Sequence, residues 1–239
     1  MKVLGIESAS LVASVAMVCD GQMTAEYTLN LKKTHSQTLL PMIDQMMQLL
    51  GEDVSTVDAI AVSGGPGSFT GLRIGAATAK GLAYALNKPI VSVPTTAALA
   101  ANFFGSSDYV CPIMDARRNQ VYNAIYSFEN DELVTFTDQR PIDVKKLVCE
   151  LDEKYNDRRI IFLGDGVPRY RCQIDEILKA DHIYAAPHLL KQHAGAVALL
   201  GEMYYNKGET CDAYSFTPVY LRMSQAERER KEKLASGAL

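Results

Sequence analysis

One order of strands and helices runs through this chain twice. In the first half, strands over 2–8 (KVLGIES), 11–19 (LVASVAMVC) and 22–31 (QMTAEYTLNL) follow one another directly. Asp20-Gly21 separates the second from the third. Such a pair favours a tight hairpin because both residues tolerate positive φ. Thr34, His35, Ser36 and Thr38 offer caps for a helix that runs to about Leu50 and stops at Gly51. Pro41 falls in its first turn or kinks it. A strand over 58–64, a glycine-rich corner, a helix over 70–86, a strand over 89–93 and a helix over 95–104 complete the order βββαβαβα.

The second half repeats it. Strands over 109–116, 120–128 and 132–138, with Glu129-Asn130-Asp131 as a turn, precede a helix over 144–155 and a strand over 159–164. Gly164-Asp165-Gly166 stands where Gly64-Gly65-Pro66-Gly67 stood in the first half. A helix over 169–179, a strand over 182–186 and a helix over 189–206 finish the unit. Two tandem units with matched glycine corners predict an α/β chain of two ribonuclease-H-like lobes. That is the architecture of actin, the sugar kinases and the heat-shock ATPases. The expected division is 1–106, 107–222 and a charged tail over 223–239, with the linker at GSSD (105–108). The tail stretch AERERKEK has seven charges in eight residues, the pattern of a solvated segment.

Composition narrows function by exclusion. Twenty-four basic residues against twenty-eight acidic ones give −4, so no nucleic-acid surface strong enough to act alone is expected. Cys19, Cys111, Cys149, Cys172 and Cys211 are scattered without a C-x-x-C, arguing against a disulfide framework or a zinc ribbon. Among His35, His182, His188 and His193 there is no H-x-x-x-H or H-E-x-x-H spacing, so no metal ligand set is assigned. Met1 leads straight into a strand, and no apolar run approaches the ~18–20 residues that cross a bilayer. A cytoplasmic protein without a membrane partner is expected.

The corner Gly64, Gly65, Pro66, Gly67, Ser68, Phe69, Thr70 and Gly71 admits two uses. Backbone amides and a helix N-terminus there can cradle an anion or nucleotide phosphate. Alternatively the glycines let a helix pack closely on its sheet. It is not a P-loop, since Leu72 follows Gly71 where a Lys would stand, and Thr70 replaces the third glycine of G-x-G-x-x-G. Arg73, in the first helical turn, opposes the helix dipole. It should face outward, a bound anion or an acid, with Glu7 as a candidate partner. Kinases of this architecture place Asp-x-Gly at the first strand corner. Here Glu7-Ser8-Ala9 and, in the second half, Asp115-Ala116-Arg117 both lack the glycine.

The first helix carries Leu39, Leu40, Met42, Ile43, Met46 and Met47, an apolar arc too wide for a single buried stripe. The next offers Leu72 and the small residues Gly75, Ala76, Ala79 and Ala83. Either the two helices share a large core, or they present a second face to a partner. The partner face is the expectation adopted here.

GIESAS, THSQTLLP, SGGPGSFTGLRIG, MDARRNQVY and the late YLR, in that order, closely resemble the TsaB (YeaZ) family. The resemblance implies a non-catalytic partner of TsaD in the synthesis of tRNA threonylcarbamoyladenosine. TsaC would make threonylcarbamoyl-adenylate, and TsaD would pass its threonylcarbamoyl group to the tRNA adenosine beside the anticodon. It also implies pairing with TsaD through helices of the first lobe, recruitment of TsaE, and a homodimer through much the same surface when isolated. Met46 and Ala79 would then lie at that interface. The tRNA would be met only through the complex, and ATP or ADP would belong to the complex. Two alternatives stay open on sequence: a small-molecule kinase of the same fold, or a homodimeric nucleotide-binding or structural protein.

Overall fold

The computed structural model describes residues 1–222 except Lys32 and Asp131, so the charged tail and one residue of the second turn lie outside the described residues. The first half comprises β1 (Lys2–Glu7), β2 (Ala13–Cys19), β3 (Gln22–Leu29), α1 (His35–Leu50), β4 (Ala59–Gly65), α2 (Phe69–Leu86), β5 (Ile90–Pro94) and α3 (Thr95–Ala100). The second comprises β6 (Tyr109–Asp115), β7 (Gln120–Glu129), β8 (Glu132–Asp143), α4 (Val144–Lys154), β9 (Ile160–Leu163), α5 (Val167–Ile177), β10 (His182–Tyr184) and α6 (Ala194–Asn206).

Each half builds one five-stranded sheet, β3-β2-β1-β4-β5 and β8-β7-β6-β9-β10. The duplication read from sequence is thus a duplication of topology, and the fold is the two-lobed ribonuclease-H-like α/β architecture. In both sheets the central strand pairs antiparallel with its hairpin neighbour and parallel with the fourth strand, as in Leu4↔Met17 and Leu4↔Ile60. Central strands are covered on two faces, which is why Val3, Leu4 and Ile6 are all buried without alternation.

The last helix of each half packs on the other half. α3 lies against β6 and β7, whereas α6 lies across β1, β2 and β4. One core therefore joins Val3, Ala61 and Val91 of the first sheet to Val110, Met114 and Ala124 of the second, through Leu99 and Val197. The lobes are bonded by burial as well as by chain.

Tertiary partners decide where several elements end. α6 starts at Ala194, five residues later than the hydrophobic pattern suggests, because its N-terminus is capped from the first sheet. The Ser14 Oγ accepts from the Ala194 amide at 3.1 Å, and Glu26 accepts from the Gly195 amide at 2.8 Å. β8 continues to Asp143 because β7 pairs with it as far as Gln120↔Asp143. Its Pro141 is tolerated because β8 is an edge strand. Asp20 and Gly21 have φ of 48° and 74°, the expected hairpin turn.

Candidate functional site

The glycine-rich corner lies where β4 ends and α2 begins. Its glycines admit the β1–β2 loop. A Cβ at Gly67 would meet the Ala9 carbonyl oxygen at 2.4 Å, and one at Gly71 would meet that of Ser8 at 2.1 Å. The contact is bonded as well as close. The Ser68 amide donates to the Ala9 carbonyl at 2.7 Å, and the Ser8 hydroxyl donates to that of Gly71 at 2.9 Å. Ser68 also caps α2, its hydroxyl accepting from the Gly71 amide at 3.3 Å. Of the two uses left open on sequence, close packing is realised.

A C-terminal strap over 211–222 closes the corner from outside. It leaves the first sheet where Cys211 bridges Ile90, and Lys80 Nζ holds the Phe216 carbonyl at 3.0 Å. Phe216 enters the core beneath α1 and α2. The Val219 amide then donates to the Gly64 carbonyl at 2.7 Å. Gly65, at φ 111°, leaves room for the Val219 carbonyl, which a Cβ would approach to 2.3 Å. Tyr220 packs on Phe69 at 4.8 Å between ring centroids, and Arg222 donates to the Ala116 carbonyl in the second half.

Both strand-corner acids are engaged within the chain. Glu7 is fully buried; it accepts from the Ala9 amide at 2.6 Å and from the Ser63 hydroxyl. Burial pushes its carboxyl up to about 7, against the pull of those two donors. Asp115 accepts from the Arg117 amide at 2.8 Å, the same two-residue reach, and pairs with Arg169 at 2.8 Å. Asp165, whose carboxyl is raised by burial, accepts from the Asp115 amide at 3.1 Å. Glu7 therefore does not hold Arg73. That arginine is exposed, with its guanidinium 3.9 Å from the Phe69 ring centroid.

The wide apolar arc of α1 is consumed inside the chain. Leu39, Met42, Ile43, Met46 and Met47 pack with Ala76, Ala79 and Ala83 of α2 against Leu4, Ile6, Val15 and Met17. Leu72 and Gly75 are buried as well, leaving Leu40 as the exposed member of that set, 52% accessible. Met46 and Ala79, expected at or beside a partner interface, are each 0% exposed and lie in this chain's own core. Two helices sharing one sheet face must also bury the seam between them, so each carries a second apolar stripe. The outward faces present Leu40, Pro41, Asp44, Ala77, Gly81 and Ala85 instead.

Two comparisons decide the family. The family model described as TsaD, tRNA N6-adenosine threonylcarbamoyltransferase, matches residues 22–230. The tRNA threonylcarbamoyladenosine biosynthesis protein TsaB of Bacillus subtilis (strain 168) is 30% identical over 227 residues, 95% of this chain and 96% of that protein. The chain belongs to the TsaB (YeaZ) family. The TsaB of Haemophilus influenzae is 29% identical over 93% of this chain and 94% of its own length. A solved structure titled YeaZ from Pseudomonas aeruginosa superposes with a TM-score of 0.77 at 27% identity, covering 92% of this chain and 99% of that one.

As a TsaB-family member the chain carries its specific residues in structural seams. SGGPGSFTGLRIG forms the seam between the β1–β2 loop, α2 and the strap, and the Arg of YLR reaches the second half. His35 of THSQTLLP is buried, its Nε2 2.8 Å from the Ser10 carbonyl, tying α1 to the same loop. Among the described residues no group of three or more His, Cys, Asp or Glu is placed to hold a metal ion. No helix among them is long and apolar enough to cross a membrane. The strap's role was not read from sequence.

Proposed function

We propose that this chain is a non-catalytic activating subunit in the synthesis of threonylcarbamoyladenosine on tRNA. It pairs with TsaD, with TsaE joining the pair, while TsaD transfers the threonylcarbamoyl group from threonylcarbamoyl-adenylate to the adenosine. ATP or ADP belongs to the assembled complex. The observation that carries the reading is the end-to-end match to proteins named for this biosynthesis. The corner geometry supports the indirect role: Ser68, Gly71 and Val219 amides are spent within the chain, and Glu7 is enclosed.

TsaD docks on the outward faces of α1 and α2, at Leu40, Pro41, Ala77 and Gly81, and a second copy covers the same surface in the isolated protein. Small residues at Ala77, Gly81 and Ala85 recur every four positions, and a Cβ at Gly81 meets nothing within 4 Å, so a partner helix has space to approach. The subunit acts by fixing its partner's competent conformation, a coupling that needs no proton transfer of its own.

The test is reconstitution of the modification from TsaC, TsaD, TsaE, threonine, bicarbonate, ATP and tRNA, with and without this chain. Dependence of the rate on the chain is expected. Modification at full rate in its absence overturns the reading.

A further inference from the structure

We infer that a strip running from Arg73 through Phe69 and Tyr220 to Arg222, Arg117 and Arg118 binds unpaired RNA, an inference that rests on the role in tRNA modification proposed above. The strip crosses from the start of α2, over the strap, to the β6–β7 tip. In its middle Phe69 meets two neighbours: the Arg73 guanidinium sits 3.9 Å from its ring centroid, and the Tyr220 ring sits 4.8 Å away at an interplanar angle of 42°. Tyr220 stays 40% exposed, so part of this aromatic pair remains open to solvent.

The cations of the strip have no carboxylate partner among the described residues. Arg140, Arg158, Arg159, Arg169 and Arg171 each pair with a carboxylate. Arg73, Arg117, Arg118 and Arg222 pair with none among the described residues. Asp115, at the end of β6 beside the tip, is already occupied by Arg169, Tyr170 and the Arg117 amide. In a chain of formal charge −4, four arginines without a carboxylate partner among the described residues, along one strip with an aromatic pair, are a local departure from the whole.

The arginines are also held in place. Arg117, Arg118 and Asn119 all have positive φ, at 62°, 55° and 57°. The tip is pinned by Ala116 N–H to the Gln120 carbonyl at 3.0 Å and by Val144 N–H to the Asn119 carbonyl at 3.0 Å. Arg222 braces it from the strap by donating to the Ala116 carbonyl. The exposed Arg117 and Arg118 side chains thus project from a fixed backbone.

Guanidinium groups suit phosphate oxygens, and an open ring suits the face of an unstacked base. A paired helix offers its phosphates but keeps its bases stacked, so the combination selects loops and single strands. An acidic peptide would use the arginines and leave the aromatic face without purpose.

The test is a titration of the full chain, alone and at low salt, with a fluorescein-labelled RNA hairpin bearing an unpaired loop, read by anisotropy. The blunt duplex of the same stem is the comparison. The hairpin should bind at least about tenfold more tightly than the duplex, a base-stacking effect. Arg117→Ala with Arg118→Ala should weaken hairpin binding and lower the slope of log affinity on log salt by about 1.4, roughly 0.7 for each phosphate contact. Tyr220→Leu, which keeps an apolar contact with Phe69, should weaken binding and leave the slope unchanged. Circular-dichroism melting of each variant checks that the fold is retained. Equal binding of hairpin and duplex, or variants that bind as the unaltered chain does, would overturn the inference. Because no TsaD is present, that failure leaves the reconstitution result standing. Loss of the chain requirement in reconstitution would instead sink the functional reading.

Discussion

The Val219 amide donates to the Gly64 carbonyl at 2.7 Å, joining the end of the described chain to the corner on which the first lobe is built. The same strap residue turns its carbonyl into the space that Gly65 leaves by lacking a side chain. Strap and corner are thus built for one another, and the corner is closed by the protein itself.

Gly65→Ala should therefore be costly. The residue has φ 111°, where an L side chain is strained, and the added Cβ would lie 2.3 Å from the Val219 oxygen. A loss of about 3 kcal/mol or more in urea unfolding is expected, strain and a displaced strap acting together. Phe216→Ala, which empties a buried position from the other end of the strap, should cost about 3 kcal/mol as well. Variants that melt like the parent would mean that the strap is not a structural part of the lobe.

Glu7 gives a pH signature. Burial raises its carboxyl from an ordinary 4.5 to about 7. Between those values the folded chain keeps a proton that the unfolded chain has released, so this group's contribution to stability falls as pH rises. Glu7→Gln keeps an acceptor for the Ala9 amide and offers a donor to Ser63, while abolishing the charge. Above pH 7 the variant should be more stable than the parent by up to about 3 kcal/mol, and near pH 4 the two should converge. Parallel stability curves for parent and variant across that range would refute the assignment.

What was legible in the sequence follows from what each signal depends on. The βββαβαβα order could be read because short apolar strand runs, Asp20-Gly21 and Gly51 are local chemistry, and the second half repeated it independently. The start of α6 could not, because Ser14 and Glu26 cap it from 180 and 169 residues away. The apolar arc of α1 was legible as unusually wide, but width alone does not say what covers it. Here α2 covers it, so residues assigned to a partner belong to the core. Arg73 was correctly expected to face outward, but its neighbour is Phe69, one helical turn back, and Glu7 bonds Ser63 and the Ala9 amide instead.

Burial of the arc separates two kinds of substitution. Met46→Glu and Ala79→Glu place an unpaired charge at fully buried positions and should unfold the lobe, costing several kcal/mol. Ala77→Glu and Gly81→Glu sit on exposed positions of the same helix pair and should leave melting within about 0.5 kcal/mol of the parent. If α1 and α2 meet TsaD outward, the second pair should still abolish co-purification with TsaD. Retained co-purification by both folded variants would move the docking face elsewhere.

The joint between α6 and the β2–β3 hairpin should itself respond to pH. His193 at the α6 N-cap approaches Glu26 at 3.4 Å, and its Nε2 lies 2.9 Å from the His188 carbonyl. The bond to Glu26 raises the imidazole above its ordinary 6.5, outweighing burial, and nearby Glu7 adds to the rise. Burial pushes the Glu26 carboxyl up, but His193 and the Gly195 amide pull it below its ordinary 4.5. The histidine term is fully present below pH 6.5 and fades as pH rises through the raised value. The carboxylate term is fully present above pH 4.5 and fades as pH falls through the lowered one. Their overlap, from about pH 4.5 to 6.5, is where the pair holds most strongly. Glu26→Gln keeps the acceptor for the Gly195 amide and removes only the charge. A double-mutant cycle with His193→Ala should therefore give a coupling near 1 kcal/mol at about pH 5.5, shrinking towards zero at about pH 9 as the imidazole loses its proton. A coupling that stays constant across that range would assign the contact to packing, with no part played by charge.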